Sequence, residues 1–368
     1  MPEPLPQNSF RPSSDEHKAY QSCLGLEAVG SSWGVVVGSL AKEASEAAMF
    51  KFSPEVAARV LGYALRLSPS TEGTACLAQE ILSCNDEGEL LAGLSYLYVM
   101  GMIRIFKNPK GSVPTPMSIH SSRPSFQATA DSIAALLSQP TTSSSDAKKL
   151  ALARDDYRCI LSGNVDIASF DAGLTSVNVA AGDRMKVTVL GHIFGQSTMD
   201  NTAGLTNAAQ IKLAWAASAA AVVQRFASIS IVEELNQNNI HRAENTFTIT
   251  PDYHSALDEL RISLHPIESD DNNTYEIHTY PPNRNAVYGL PDQVTLTDAT
   301  GGQIPLPSRR YFQLHDACAK IAHLSGAGEI VERLFRDVED VKVLAEDGGS
   351  QHLLSLALSS HLHAQSVY

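Results

Sequence analysis

The sequence predicts an α+β protein, with helices toward both ends of the chain and short strands in its middle. Three observations carry this reading. Apolar residues recur at helical spacing across residues 54–67 and 90–106. Between about 159 and 278 the pattern changes to short β-branched runs such as KVTVL (186–190) and TFTIT (246–250). After 303 a Pro-bounded loop returns the chain to helical spacing, with Phe312, His315, Ala319 and Ala322 in register.

Residues 1–18 are Pro- and Ser-rich with no apolar run, so the expectation is a disordered tail without a signal peptide. A helical N-terminal region then runs from 19 to about 140. Within 54–67, Val56, Val60, Leu61 and Leu65 share one face, Pro54 sits in the first turn and Ser53 is placed as N-cap. Leu90–Phe106 reads as a long buried helix. Residues 107–126 read as an extended connector, 127–138 as a helix, and the polar run QPTTSSSD (139–146) as a domain boundary. The middle domain, 146–290, is expected to open with a helix over Lys148–Tyr157. Strands are placed at Cys159–Leu161, Lys186–Leu190, 246–250, Ile262–Pro266 and Tyr275–His278, and an Ala-rich helix at 208–228. A helix over Asp252–Leu260 follows the third run, TFTIT, with Thr250 as N-cap and Pro251 as first residue. Strands 186–190 and 246–250 are expected to pair antiparallel with that helix against them. Residues 291–368 complete the chain as a helical C-terminal region packed on this domain, broken at Ser325–Gly328.

The chain has 368 residues, 27 Lys+Arg against 40 Asp+Glu, and a net charge of −13. Hydrophobic content of 43% is that of a folded protein, and the charge excludes a generic basic nucleic-acid coat. Five cysteines form no CxxC pair and read as reduced core residues. The apolar stretch near Ile211–Val223 carries Lys212 and is too short to span a bilayer. An intracellular protein, cytoplasmic or nuclear and without a membrane partner, is the expectation. Oligomeric state is left open.

One ordered set of residues points to chemistry. Strand 186–190 leads into His192. Asn245 precedes the run TFTIT, and His254 lies in the helix that follows, with Asp258 four residues on. Residues four apart are neighbours on a helix, so His254 and Asp258 can offer an imidazole and a carboxylate to one divalent ion. A histidine at a strand end can then act as general base on water. The asparagine can hold the histidine's tautomer or tie the loop together. Close by, His241 and Arg242 take supporting positions behind these groups, with a loop histidine bonded to backbone as the default reading of His241. Elsewhere, His315 and Cys318 read as packing residues, and ATGGQ (299–303) reads as a turn because it lacks a phosphate loop's Lys-Ser/Thr.

Several blocks around this set resemble one family. They are RVLGYAL (59–65), PTPMSIHSSRPSF (114–126), ALARDDYRCILSG (151–163), GHI (191–193), EELNQNNIHRAENTFTIT (233–250), HSALDEL (254–260) and IPLPSRRYFQLHDACAKIAHLSGAGE (304–329). Together they are similar to the HNH nuclease-domain proteins abundant in mushroom-forming fungi. The resemblance implies a ββα-metal element of the HNH, or His-Me finger, type. It implies His192 as general base, Asn245 in support, and His254 as ligand to a divalent ion (Mg²⁺, Mn²⁺ or Zn²⁺), with Asp258 retained beside it. The implied activity is a metal-dependent phosphodiesterase, a hydrolase of the endonuclease class, with DNA as partner. Two positions depart from the family pattern. Gly191 stands where a metal-binding Asp or His commonly precedes the first histidine, and Leu257 stands for Phe in the helix motif.

Charge supports an alternative. Residues 151–265 hold eight Lys/Arg against twelve Asp/Glu, without the basic footprint of a duplex-gripping protein; only a three-dimensional cluster of Arg154, Arg158 and Arg242 would supply one. The alternative is a degenerate or repurposed HNH scaffold that binds or converts a small apolar molecule, with helix 208–228 lining the cavity.

Overall fold

The computed structural model of the chain describes residues 2–33, 52–107, 143–195, 219–235, 237–267 and 273–332. Residues 108–126 of the expected connector, the helix at 127–138, the first half of the boundary run and residues 208–218 lie outside the described residues. The fold is α+β. It divides into two compact units, Met1–Ile105 with Thr198–Glu233 and Ala317–Tyr368, and Phe106–Ser197 with Glu234–Asp316. This differs from the division into consecutive regions that the sequence suggests, because each unit recruits segments distant in the chain.

The first unit is helical. Helix Asp15–Glu27 packs on helices Pro54–Leu67 and Thr71–Ser83, and Pro54–Leu67 packs on Gly88–Tyr98. The expected N-cap holds: the Ser53 side chain accepts from Val56 N. Gly88–Phe106, not the stretch 211–223, is the described helix apolar and long enough to cross a membrane by length and composition, and it is 61% buried inside the protein. Residues 219–227 are helical. Gly73 admits the end of this helix, since a Cβ there would lie 1.8 Å from the Phe226 carbonyl oxygen. The same carbonyl accepts from Ser68 Oγ at 3.0 Å.

The expected disordered tail is instead pinned to this unit. Leu5 is buried, its N–H donates to Glu27 Oε1, and the Tyr63 and Tyr20 hydroxyls donate to the carbonyls of Pro4 and Pro6. A Pro-rich segment lacks donors for its own secondary structure, but its carbonyls stay available to tyrosines from a neighbouring helix.

The second unit carries all seven described strands. β1 (Val165–Asp166) pairs parallel with β2 (Met185–Lys186). β3 (Val189–His192) pairs antiparallel with β4 (Thr246–Ile249), setting Gly191 opposite Phe247 and His192 opposite Thr246. β5 (Ile262–Pro266), β6 (Thr274–Thr279) and β7 (Gln293–Thr295) form an antiparallel meander. The expected strand 186–190 is broken in two at 187–188, where Asp166 Oδ1 accepts from Thr188 N at 3.2 Å and Thr188 Oγ1 at 2.7 Å. Cys159–Leu161 is not a strand. It enters a reverse turn in which Gly163 N donates back to Cys159 O and Cys159 N donates to Asn164 O.

The antiparallel pairing of β3 with β4 is as expected; the helix laid on that ribbon is not. Helix Ser144–Arg154 packs on both strands, whereas helix Pro251–Asp258 packs chiefly on β5. Thr250 holds the N-cap position of the latter helix but makes no cap bond through its side chain. Leu150 and Ala153 of helix Ser144–Arg154 bury against Ile304 and Ala243. Arg154, fully buried, ends this helix. It forms an ion pair with Asp155 (Nε–Oδ1 2.7 Å) and donates to the carbonyls of Ala243, Pro305 and Thr246. Asp155 in turn accepts from Thr248 N at 2.7 Å. The five cysteines are free thiols, four of them buried, as expected.

Candidate functional site

His192 is the last residue of β3 and is half-buried. Its Nε2 lies 3.0 Å from His241 Nδ1, with the two rings 5.1 Å apart. Burial, and after it the neighbouring histidines His241 and His254, push its pKa down to about 3. His192 is therefore neutral at any working pH. A neutral imidazole has one donor and one acceptor nitrogen, so this bond fixes the two tautomers together. If His192 donates from Nε2, its Nδ1 is left with a lone pair able to take a proton.

This places His241 in direct contact with His192, the supporting position behind the site that the sequence offers beside the default reading of a loop histidine. His241 ends a 3₁₀ turn over Gln237–His241 and is buried. A histidine 49 residues from its partner gives no spacing signal, so only the fold brings the rings together.

Asn245 takes the loop-tying role and not the tautomer-holding one. It is fully buried; its Oδ1 accepts from Phe194 N at 2.9 Å and its Nδ2 donates to Phe194 O and Ile240 O. Ile193 N also donates to Asn245 O. These bonds lock the chain after His192 to the chain before β4, and they also fix the 3₁₀ turn that carries His241.

His254 and Asp258 lie one turn apart on helix Pro251–Asp258, with Nε2–Oδ2 at 3.7 Å. Burial raises the Asp258 carboxyl above its ordinary range, and His254 works against that shift. An imidazole and a carboxylate side by side fit a divalent ion as a two-residue donor set. Among the described residues they gather no third donor tightly. Among the described residues, the group of three or more His, Cys, Asp or Glu whose ligand atoms all lie within 4.8 Å of one another is His265, His278 and Asp316.

Arg242 does not stand behind this set as a free cation. It forms a paired contact with Glu244 (2.6 and 3.0 Å) and donates to Glu234 O. Arg158 is likewise matched to Asp183 at 2.9 Å on both arms, and that bond holds the Asp183 carboxyl down to about 2. With Arg154 buried on Asp155, each of the three arginines is paired with a carboxylate.

Gly191 is explained by packing. A Cβ at this position would lie 2.6 Å from Phe247 Cε2 and 2.9 Å from Ile249 Cγ2. The ring of its cross-strand partner covers the glycine, so no side chain at 191 reaches toward a metal without displacing Phe247. No protein-family model, curated protein or solved structure matches the chain.

Proposed function

We propose that strands β3 and β4 with helix Pro251–Asp258 are a ββα-metal element of the HNH type, and that the chain is a divalent-metal-dependent phosphodiesterase. One observation carries the reading: His192 ends the β3–β4 ribbon, and the helix that begins two residues after β4 carries the His254–Asp258 donor pair. His254 and Asp258 are the residues that would hold the ion, and the ion would supply charge stabilisation at a leaving phosphate oxygen. His192 takes the proton of the attacking water at the ring nitrogen that His241 leaves unprotonated. His241 is a positioning residue that selects the tautomer, and Asn245 keeps both histidine-bearing segments in place.

The test is plasmid nicking with Mg²⁺ or Mn²⁺. Removal of a general base costs about 10²–10⁴ in rate. His192→Ala is expected to lose that much activity while keeping the Mn²⁺ affinity measured by calorimetry, and His254→Ala is expected to lose the affinity itself. Full activity in His192→Ala would defeat the assignment.

A second reading keeps the scaffold and gives up the nuclease: a protein that binds or converts a small apolar molecule. It is favoured by the pairing of Arg154, Arg158 and Arg242 with carboxylates in a chain of net charge −13. Absence of nicking by the wild type with either metal would select it.

A further inference from the structure

The meander of the second unit carries a separate group of metal-ligating side chains. Residues i and i+2 of a strand share a face, so Ser263 and His265 project together from β5, and Glu276 and His278 from β6. The register sets Ser263 opposite His278 and His265 opposite Glu276, which places all four on one face. The two imidazoles are diagonal neighbours and stack at 5.1 Å with planes 19° apart. Asp316, on helix Arg309–Ser325 and only 3% exposed, reaches them: Oδ2 lies 2.9 Å from His265 Nδ1 and Oδ1 lies 3.1 Å from His278 Nδ1. Ser263 Oγ donates to Asp316 Oδ1 at 2.7 Å.

We propose that His265, His278 and Asp316 form a binding site for one Zn²⁺ or similar first-row divalent ion, independent of the His192–His254 element. Two imidazole nitrogens and one carboxylate oxygen are the donor set that borderline transition ions take, whereas Mg²⁺ and Ca²⁺ take oxygens. Donor atoms of a tetrahedral zinc site lie roughly 3–3.5 Å apart for bond lengths of about 2.0–2.2 Å. Here each imidazole nitrogen lies 2.9 or 3.1 Å from one of the two Asp316 oxygens, and one ligand atom from each of the three residues lies within 4.8 Å of the others. The surrounding contacts are those of a metal site as well. Ser263 orients the carboxylate, and His278 turns Nε2 toward Glu276 Oε2 at 3.5 Å, the arrangement by which a ligand histidine is held through its second nitrogen. The imidazole side chains are 39% and 29% exposed, which gives an ion a path in. A buried carboxylate also gains from a divalent partner.

Coordination has a definite proton requirement. A carboxylate only accepts, so both rings carry their proton on Nδ1 while they donate to Asp316. A metal ion needs the Nδ1 lone pairs, so coordination displaces the proton from each Nδ1.

The experiment uses the full chain after dialysis against a chelator. Calorimetry with Zn²⁺, and the visible spectrum with Co²⁺, are measured on wild type, His265→Ala, His278→Ala, Ser263→Ala and His254→Ala. Loss of even an outer partner of a metal site costs about 10–100-fold in affinity. Ser263→Ala is expected to weaken Zn²⁺ binding by that factor, the His265 and His278 variants by at least as much, and His254→Ala to leave a one-equivalent Zn²⁺ site and its Co²⁺ spectrum intact. Imidazole ¹⁵N resonances of the wild type give a readout that needs no variant: Zn²⁺ should shift the Nδ1 resonances of both rings, the atoms that bond it. Unchanged Zn²⁺ affinity in the His265 and His278 variants, or no change in their ring resonances, overturns the site and leaves Asp316 as a hydrogen-bonding anchor between helix and sheet.

Discussion

A single hydrogen bond, His192 Nε2 to His241 Nδ1, decides which nitrogen of His192 can act as base. His241→Ala removes the partner that selects the tautomer. The expected result is a loss of nicking activity smaller than that of His192→Ala, with Mn²⁺ affinity unchanged. His241→Asn, which keeps a polar partner near the ring, should recover part of it. Equal losses in both His241 variants and His192→Ala would mean that His241 itself does the proton transfer. At the same scale, Arg154 holds more structure than chemistry. Its guanidinium is fully buried on Asp155 and three carbonyls. Breaking a buried ion pair by removing one partner typically costs about 3–5 kcal/mol. Arg154→Ala should therefore lower stability in urea by that order, leaving Asp155 buried with only Thr248 N as a described donor. ALARDDYR shows an arginine beside two aspartates, but the sequence cannot say which carboxylate it meets or that both are buried.

At the scale of the element, the β3–β4 ribbon shows why a motif departure need not be a defect. Gly191→Asp would restore the residue type that the resemblance leads one to expect, but its Cβ would meet Phe247 and Ile249 at under 3 Å. Overpacking of this kind costs typically about 1–3 kcal/mol. The variant should unfold at lower urea concentration and should not bind Mn²⁺ more tightly. A stable protein with raised affinity would show that Phe247 yields and that the glycine was a missing ligand after all. The helices were the legible elements. Pro54–Leu67 and its Ser53 cap follow from local spacing and cap chemistry, because every partner lies within four residues. Strand ends were less legible: KVTVL alternates like one strand, and only Asp166, twenty-two residues upstream of Thr188, divides it.

For the whole molecule, two histidines held neutral by their surroundings lower stability in acid. His315 is 1% exposed, with Nε2 3.2 Å from Leu257 O, and burial lowers its pKa to about 4. His192 is lowered to about 3. An unfolded histidine titrates near ~6.5. Below that value the unfolded chain binds more protons than the folded one, so stability is full above about pH 6.5 and falls as pH drops toward 4. For a fully buried group the slope approaches about 1.4 kcal/mol per pH unit. Urea midpoints measured from pH 7 to 4.5 should fall, and His315→Leu should flatten the fall. A midpoint independent of pH across this range in the wild type would contradict the neutral state of both residues.

The sequence by itself determined what is local: the α+β class, the major helices and their caps, the reduced cysteines, the order His192, Asn245, His254 and the neighbourhood of His254 and Asp258. Each rests on periodicity or on partners within one turn. Tertiary structure alone decided which groups meet. It brought His241 to His192, turned Asn245 into a loop tie, buried Arg154 and paired Arg158 and Arg242 with acids. It also pinned the N-terminal segment to tyrosines and carried Asp316 to two histidines on neighbouring strands. The physical reason is one of range. A helix writes its contacts into spacings of three and four residues. Hydrogen bonds and ion pairs between segments are set by how the elements pack, and no spacing along the chain records that packing.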